Sequence, residues 1–243
     1  MRRLGLIGGM SWESTAMYYR LLNRGVSERL GGLHSAALLI ESVDFAPIAV
    51  LQGSGDWSAA GRVLAESARR LEVAGAEGLI LATNTMHHVA AAIEDAVDIP
   101  LLHIVDSTGA GLRSAGIRRT GLLGTRFTME LPFWRARLEE RFGIELEVPG
   151  ADDREIVHRI IYQELCLGRV DDESRKLYVD TIQRLAQRGA EAVARLVSQK
   201  GIDLILSAAP GFLDLGCQLV FLGEGDREFH DQLQGLRDRH PDQ

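Results

Sequence analysis

Cysteine is almost missing from this 243-residue chain, which holds only Cys166 and Cys217. Two thiols cannot build a disulfide framework, and neither lies in a metal-ligand spacing. A disulfide-stapled secreted scaffold and a cysteine-built metal site are thereby excluded, no metal is expected, and a reducing, cytoplasmic setting is. Positive charge is also short, with 27 Lys and Arg against 34 Asp and Glu and a formal net charge of −7. Binding nucleic acid or an anionic membrane takes a basic face, so neither partner is expected. Long apolar runs are lacking too, and none approaches the roughly 18 residues of a membrane span. The apolar stretch behind Met1-Arg2-Arg3 is broken by glycines and continues into Trp12-Glu13, so it reads as a first strand and not as a leader.

What remains is ordinary globular composition, 46% hydrophobic and 25% charged, long enough for two compact domains. Residues 4–7 form a short apolar run ending in Gly8-Gly9, and residues 11–29 carry a helical face with Met17, Tyr18, Leu21 and Leu22. The alternation continues with a strand at 36–42, a helix at 57–74, a strand at 78–82, a helix at 86–96 and a strand at 100–105. A second cycle follows, with a strand at 120–124, a helix at 129–141, a strand at 144–148 and a long helix over 153–167. Such alternation predicts an α/β fold with parallel sheets and helices on both faces. Gly5-Leu6-Ile7-Gly8 and Gly121-Leu122-Leu123-Gly124 are near copies 116 positions apart. The repeat predicts two pseudo-symmetric domains, 1–115 and 116–243, with a cleft between them.

Ligands of open parallel sheets sit beyond the carboxyl ends of the strands. Three loops qualify. Gly8-Gly9-Met10-Ser11-Trp12-Glu13-Ser14-Thr15 joins a tight turn to hydroxyls at a helix start, which can hold a carboxylate or merely cap the helix. A dinucleotide site is disfavoured, because the G-x-G-x-x-G spacing is missing and Glu28 falls within the predicted helix. Thr83-Asn84-Thr85-Met86-His87-His88 sets three small hydrogen-bonding side chains at a strand end, more than one cap needs. Gly124-Thr125-Arg126-Phe127-Thr128-Met129-Glu130 repeats that character in the second half. Ligand binding is favoured over capping for these two loops.

These segments, with Leu30-Gly31-Gly32-Leu33-His34-Ser35-Ala36, Ser42-Val43-Asp44-Phe45 and Glu164-Leu165, resemble the cofactor-independent aspartate/glutamate racemases from the start to about Val193. The resemblance implies two flavodoxin-like α/β/α domains, a homodimer, a small amino acid bound between the domains, and no pyridoxal phosphate, metal or nucleotide. It implies a two-base reaction in which one group takes the α-proton from one face and another returns a proton to the opposite face. Thr83 holds the first-domain position of that pair, as in a branch where threonine faces cysteine. Asn84, Thr85, Thr125 and Thr128 would hold the α-carboxylate and ammonium, Gly9, Met10 and Ser11 the distal carboxylate, and Glu164 would line the pocket. His87 would support Thr83, whereas His88, His103 and Cys166 read as packed structural residues.

The resemblance ends at the second base. The family's Gly-Ala-x-x-Val run is present as Gly189-Ala190-Glu191-Ala192-Val193, but Leu196, Val197, Ser198 and Gln199 stand where Gly, Cys, Thr and Glu are expected. Val197 cannot carry a proton. From Val193 onward the chain resembles the nucleotide-binding half of bacterial glycogen synthases, with Arg195 and Lys200 matching phosphate-contacting residues. Only about fifty residues are covered and no acceptor domain accompanies them, so glycosyl transfer is not expected. The tail still reads as strand, helix, strand and helix that could complete a sheet, and Cys217, at a strand start, is not the missing base. Three functions follow as alternatives: a racemase with crippled turnover, one that recruits Ser198, and an amino-acid-binding protein or non-functional chimera.

Overall fold

The computed structural model describes residues 1–169 and 171–195, without the side chains of residues 194 and 195. Leu196, Val197, Ser198, Gln199, Lys200 and Cys217, with the elements expected of the tail beyond residue 195, lie outside the described residues. The chain divides into two compact units, Met1–Ile104 and Val105–Gln243, and each is built on its own parallel sheet.

In the first unit β1 (Leu4–Gly8), β2 (Leu38–Ser42), β3 (Leu79–Leu81) and β4 (Leu101–Leu102) stand in the order β2-β1-β3-β4. Leu6, Ile7, Leu79 and Leu81 are fully enclosed, as strands covered on both faces must be. The helices are α1 (Trp12–Leu30), α2 (Phe45–Ser54), α3 (Trp57–Val73) and α4 (Ala90–Glu94). Helix α3 lays Ala60, Leu64, Ala68 and Leu71 on the core at helical spacing, each leucine adding about 1.5–3 kcal/mol of burial. Gly5 permits that approach, since a Cβ there would stand 3.2 Å from Leu71 Cβ.

The second unit is entered through α5 (Ile104–Ser114) and holds β5 (Arg119–Leu123), α6 (Arg126–Glu130), α7 (Pro132–Phe142), β6 (Glu145–Glu147), α8 (Ala151–Gln163), α9 (Asp172–Gln187) and β7 (Ala192–Arg195). Its strands run parallel in the order β6-β5-β7. Leu123, Val157, Ile160, Tyr178, Ile182 and Leu185 make its core. Asp106 of α5 accepts a bidentate pair from Arg137 of α7 at 2.7 and 2.8 Å and a further bond from Arg141. The Arg137 hydrogen bond, against some desolvation, holds the Asp106 carboxyl down at about 2. Among the described residues no helix is long and apolar enough to cross a membrane.

The α/β class and the parallel sheets are as expected, but several elements differ. The strand expected over 100–105 pairs only through Leu101–Leu102, and α5 begins at Ile104, whose N–H leaves the ladder for His87 Nε2 at 3.2 Å. The helix expected over 86–96 is a 3-10 turn, Thr85–Val89, followed by the short α4, because His87 N–H reaches back to Asn84 O at 3.0 Å. The helix expected over 129–141 is broken at Leu131, which takes an extended conformation ahead of Pro132. The one expected over 153–167 ends at Gln163, and a 3-10 turn, Leu165–Leu167, follows. Helices α2 and α9 had no counterpart in the sequence reading.

Candidate functional site

A strand order of 2-1-3-4 makes the β1/β3 boundary the topological switch point, where loops leave the sheet in opposite directions and open a crevice. The loops Gly8–Ser11 and Thr83–Thr85 follow those two strands. Their roots are stitched, with Val43 N–H donating to Gly8 O at 3.1 Å and Ala82 N–H to Ile7 O at 2.9 Å.

The β1 loop is forced by its glycines. Gly9 has φ +94, and a methyl group on it would collide with the main chain of Val43. Gly8 has no room for a methyl either, because Thr15 of α1 packs on it. The Thr15 hydroxyl accepts from Gly9 N–H at 2.8 Å and donates to Ser11 O at 3.1 Å, which ties the turn to the first turn of α1. The side chain of Met10 belongs to the core, which leaves Met10 only its main chain to offer. Ser11 has the backbone of an N-cap, yet its hydroxyl makes no capping bond.

On the β3 side, Thr83 is half-buried, and among the described residues its hydroxyl has no hydrogen-bond partner. The same holds for the hydroxyl of Ser11. Uncommitted hydroxyls therefore stand at the ends of two adjacent, paired strands. Asn84 starts the 3-10 turn without a side-chain capping bond, and Thr85 is buried. His87 Nδ1 lies 2.7 Å from the Thr83 carbonyl. His88 stands edge-on to Trp57 at 4.8 Å, and burial pushes its pKa below the usual histidine range.

The second unit repeats the device at the end of β5. A methyl on Gly124 would stand 2.9 Å from Thr128 Cγ2, so the strand-end glycine again packs on a buried threonine. Here the capping reading accounts for Thr125, whose hydroxyl caps α6 by accepting from Thr128 N–H at 3.2 Å and lies 3.1 Å from the Thr128 hydroxyl. Helix α8 packs beside this loop. Arg126 N–H donates to His158 Nδ1 at 3.2 Å, and the His158 ring packs edge-on to Phe127 at 5.7 Å and tilted against Tyr162 at 4.7 Å. Burial first, and the Arg126 guanidinium second, push the His158 pKa down. Glu164, at the end of α8, accepts from Ser174 Oγ of α9 at 2.7 Å through Oε1. Its Oε2 is buried and without a partner among the described residues. Cys166 packs against the second core.

The structure thus gathers Gly9, Met10, Ser11, Thr83, Asn84 and Thr85 at one switch point, and Thr125 with Thr128 at the corresponding strand end of the other unit. Two residues near these loops were missed. Gln52 of α2 is buried and donates to Met86 Sδ at 3.0 Å, and a lone amide in an apolar stretch was the available signal. His158 had no local signal, since its partner lies 32 residues away. No cluster of three or more His, Cys, Asp or Glu able to hold a metal ion occurs among the described residues.

The family model for Asp/Glu/hydantoin racemases matches residues 7–194. A Yersinia pestis crystal structure, solved as a candidate Asp/Glu racemase, is 41% identical and superposes with a TM-score of 0.77 over 99% of this chain and 100% of that one. An aspartate racemase homologue from Pyrococcus horikoshii is 27% identical, with a TM-score of 0.71 over 100% of both chains. A separate similarity links 51 residues, 21% of the chain, to glycogen synthase 2 of Nitrosococcus oceani at 55% identity. The chain spans only about a tenth of that enzyme's length.

Proposed function

The chain belongs to the Asp/Glu/hydantoin racemase family, and from that premise we propose that it binds aspartate or glutamate at the β1/β3 switch point and handles the α-proton through Thr83. The observation that carries this reading is the half-buried, uncommitted Thr83 hydroxyl after β3, with the uncommitted Ser11 hydroxyl in the loop after the paired strand β1. Such a group donates and accepts a proton at a stereocentre without first breaking a bond to the protein. Asn84 and Thr85 supply polar contacts to the amino-acid head group, and the Gly9-to-Ser11 loop, with its main chain held by Thr15, receives the distal carboxylate.

A hydroxyl is a far weaker base than a thiolate at neutral pH, so Thr83 returns a proton more readily than it abstracts one. Inversion then depends on a second group, and the family's cysteine position carries Val197 here. We therefore read the protein as an aspartate/glutamate-type racemase whose ligand binding outlasts its turnover. Calorimetric titration with both enantiomers of aspartate and glutamate is expected to give binding, while proton NMR in deuterated water shows negligible loss of the α-proton from any of them. Rapid exchange would overturn the crippled-turnover reading, and absence of binding would overturn the site.

A further inference from the structure

We propose that His87 is the positioning residue for Thr83, a neutral imidazole that fixes the main chain carrying the hydroxyl. The proposal rests on the reading of Thr83 as the proton-handling group. The ring is enclosed, at 2% exposure, and bridges two main-chain groups whose roles cannot change. The Thr83 carbonyl can only accept, so the nitrogen 2.7 Å from it, Nδ1, carries the proton. The Ile104 N–H can only donate, so Nε2, 3.2 Å away, is the bare nitrogen. That assigns the Nδ1–H tautomer from geometry alone. An imidazolium would set a second N–H against the N–H of Ile104.

The location gives the bridge its consequence. Thr83 lies two residues past the end of β3 and outside the sheet ladder, so its own carbonyl has no strand partner to hold it. His87 supplies that hold from one 3-10 turn ahead and is itself anchored at Ile104, the first residue of α5 and the last of the first unit. The His103 ring, 4.6 Å away and steeply inclined at 66°, packs against the imidazole. Sub-ångström placement of a reacting group is what such support provides, and its loss shows as weaker or less productive ligand contact.

The two bonds can be separated. Asn at 87 can place an amide N–H where Nδ1 stood and keep the bond to Thr83 while losing Ile104. Gln at 87 can place an amide oxygen where Nε2 stood and keep Ile104 while losing Thr83. Both remove the ring and should lower the melting temperature alike. His87→Asn is expected to bind aspartate within about threefold of the parent, and His87→Gln at least tenfold more weakly. Equal losses in the two variants, or a better His87→Gln, would overturn the proposal. An independent readout is the long-range ¹H–¹⁵N spectrum of the ¹⁵N-histidine-labelled full chain, in which His87 is expected as the neutral Nδ1–H form; the Nε2–H form sinks the proposal whatever the ligand does. If the parent binds no aspartate, the reading of Thr83 fails by itself. The His87 bridge is then judged by its tautomer and by the Thr83 carbonyl ¹³C shift, which should move in His87→Gln and stay in His87→Asn.

Discussion

A methyl group at Gly9 meets two penalties at once, an unfavourable positive φ and the main chain of Val43, which cannot move without disturbing the β1/β2 pairing. Gly55 supplies the control, because its φ is +73 but nothing lies within 4 Å of a Cβ placed there. Gly55→Ala should cost about 1 kcal/mol of backbone strain, whereas Gly9→Ala should cost about 2–4 kcal/mol and abolish aspartate binding. Urea unfolding with calorimetry checks both, and equal destabilisation would mean that the close approach to Val43 is unimportant. At this scale the sequence was readable by residue type: hydroxyls and glycines at strand ends drew attention to Ser11, Thr83 and Gly9. It could not tell which hydroxyls were already spent, and Thr125 turned out to cap α6 while Met10 turned its side chain into the core.

Helices α6 and α8 are joined by Arg154 Nε donating to Glu130 Oε1 at 2.9 Å and by a latch from Arg126 N–H to His158 Nδ1, and the latch's acceptor disappears when the ring is protonated. The charged groups acting on His158 are Arg126, which opposes protonation, and Glu155 and Glu130, which favour it; burial outweighs them all and the folded pKa lies below 6.5. A depressed folded pKa means that the unfolded chain binds the proton more tightly. The latch is therefore fully in force above about pH 6.5 and is lost as pH falls through the lower folded value. His158→Asn keeps an acceptor at the Nδ1 position and cannot titrate. Its urea midpoint should fall less steeply than the parent's between about pH 7 and pH 5, and parallel slopes would show that His158 does not set the dependence. Elements with a clean period, such as β1 and α3, were legible beforehand. The apolar-all-round α2 has no period to detect, and α9 hides Ser174 and Thr181 in its buried face, which blurs the pattern. The ends of α6 and β4 were decided by Pro132 and by the bond to His87, and only the first of these can be seen in sequence.

The two units share a plan. In each, the first strand sits between the second and third, all parallel, and β1 and β5 carry the near-identical Gly-Leu-x-Gly segments. In the registers, Ile7 pairs with Leu81 and Leu123 with Arg195. Thr83 lies two residues beyond Leu81, and counting two beyond Arg195 reaches Val197, which lies outside the described residues. The repeat and the family pattern thus point to the same position by separate routes. Inverting a carbon centre takes proton-handling groups on opposite faces, and a valine offers neither a donor nor an acceptor. The combined substitution Leu196→Gly, Val197→Cys, Ser198→Thr should therefore raise α-proton exchange from bound aspartate above the parent's rate while leaving affinity within a few fold. Adding Thr83→Val to that variant should remove one direction of transfer and return racemisation toward background. If the introduced cysteine alkylates readily and aspartate still binds, yet no exchange is gained, the side chain at 197 does not limit turnover.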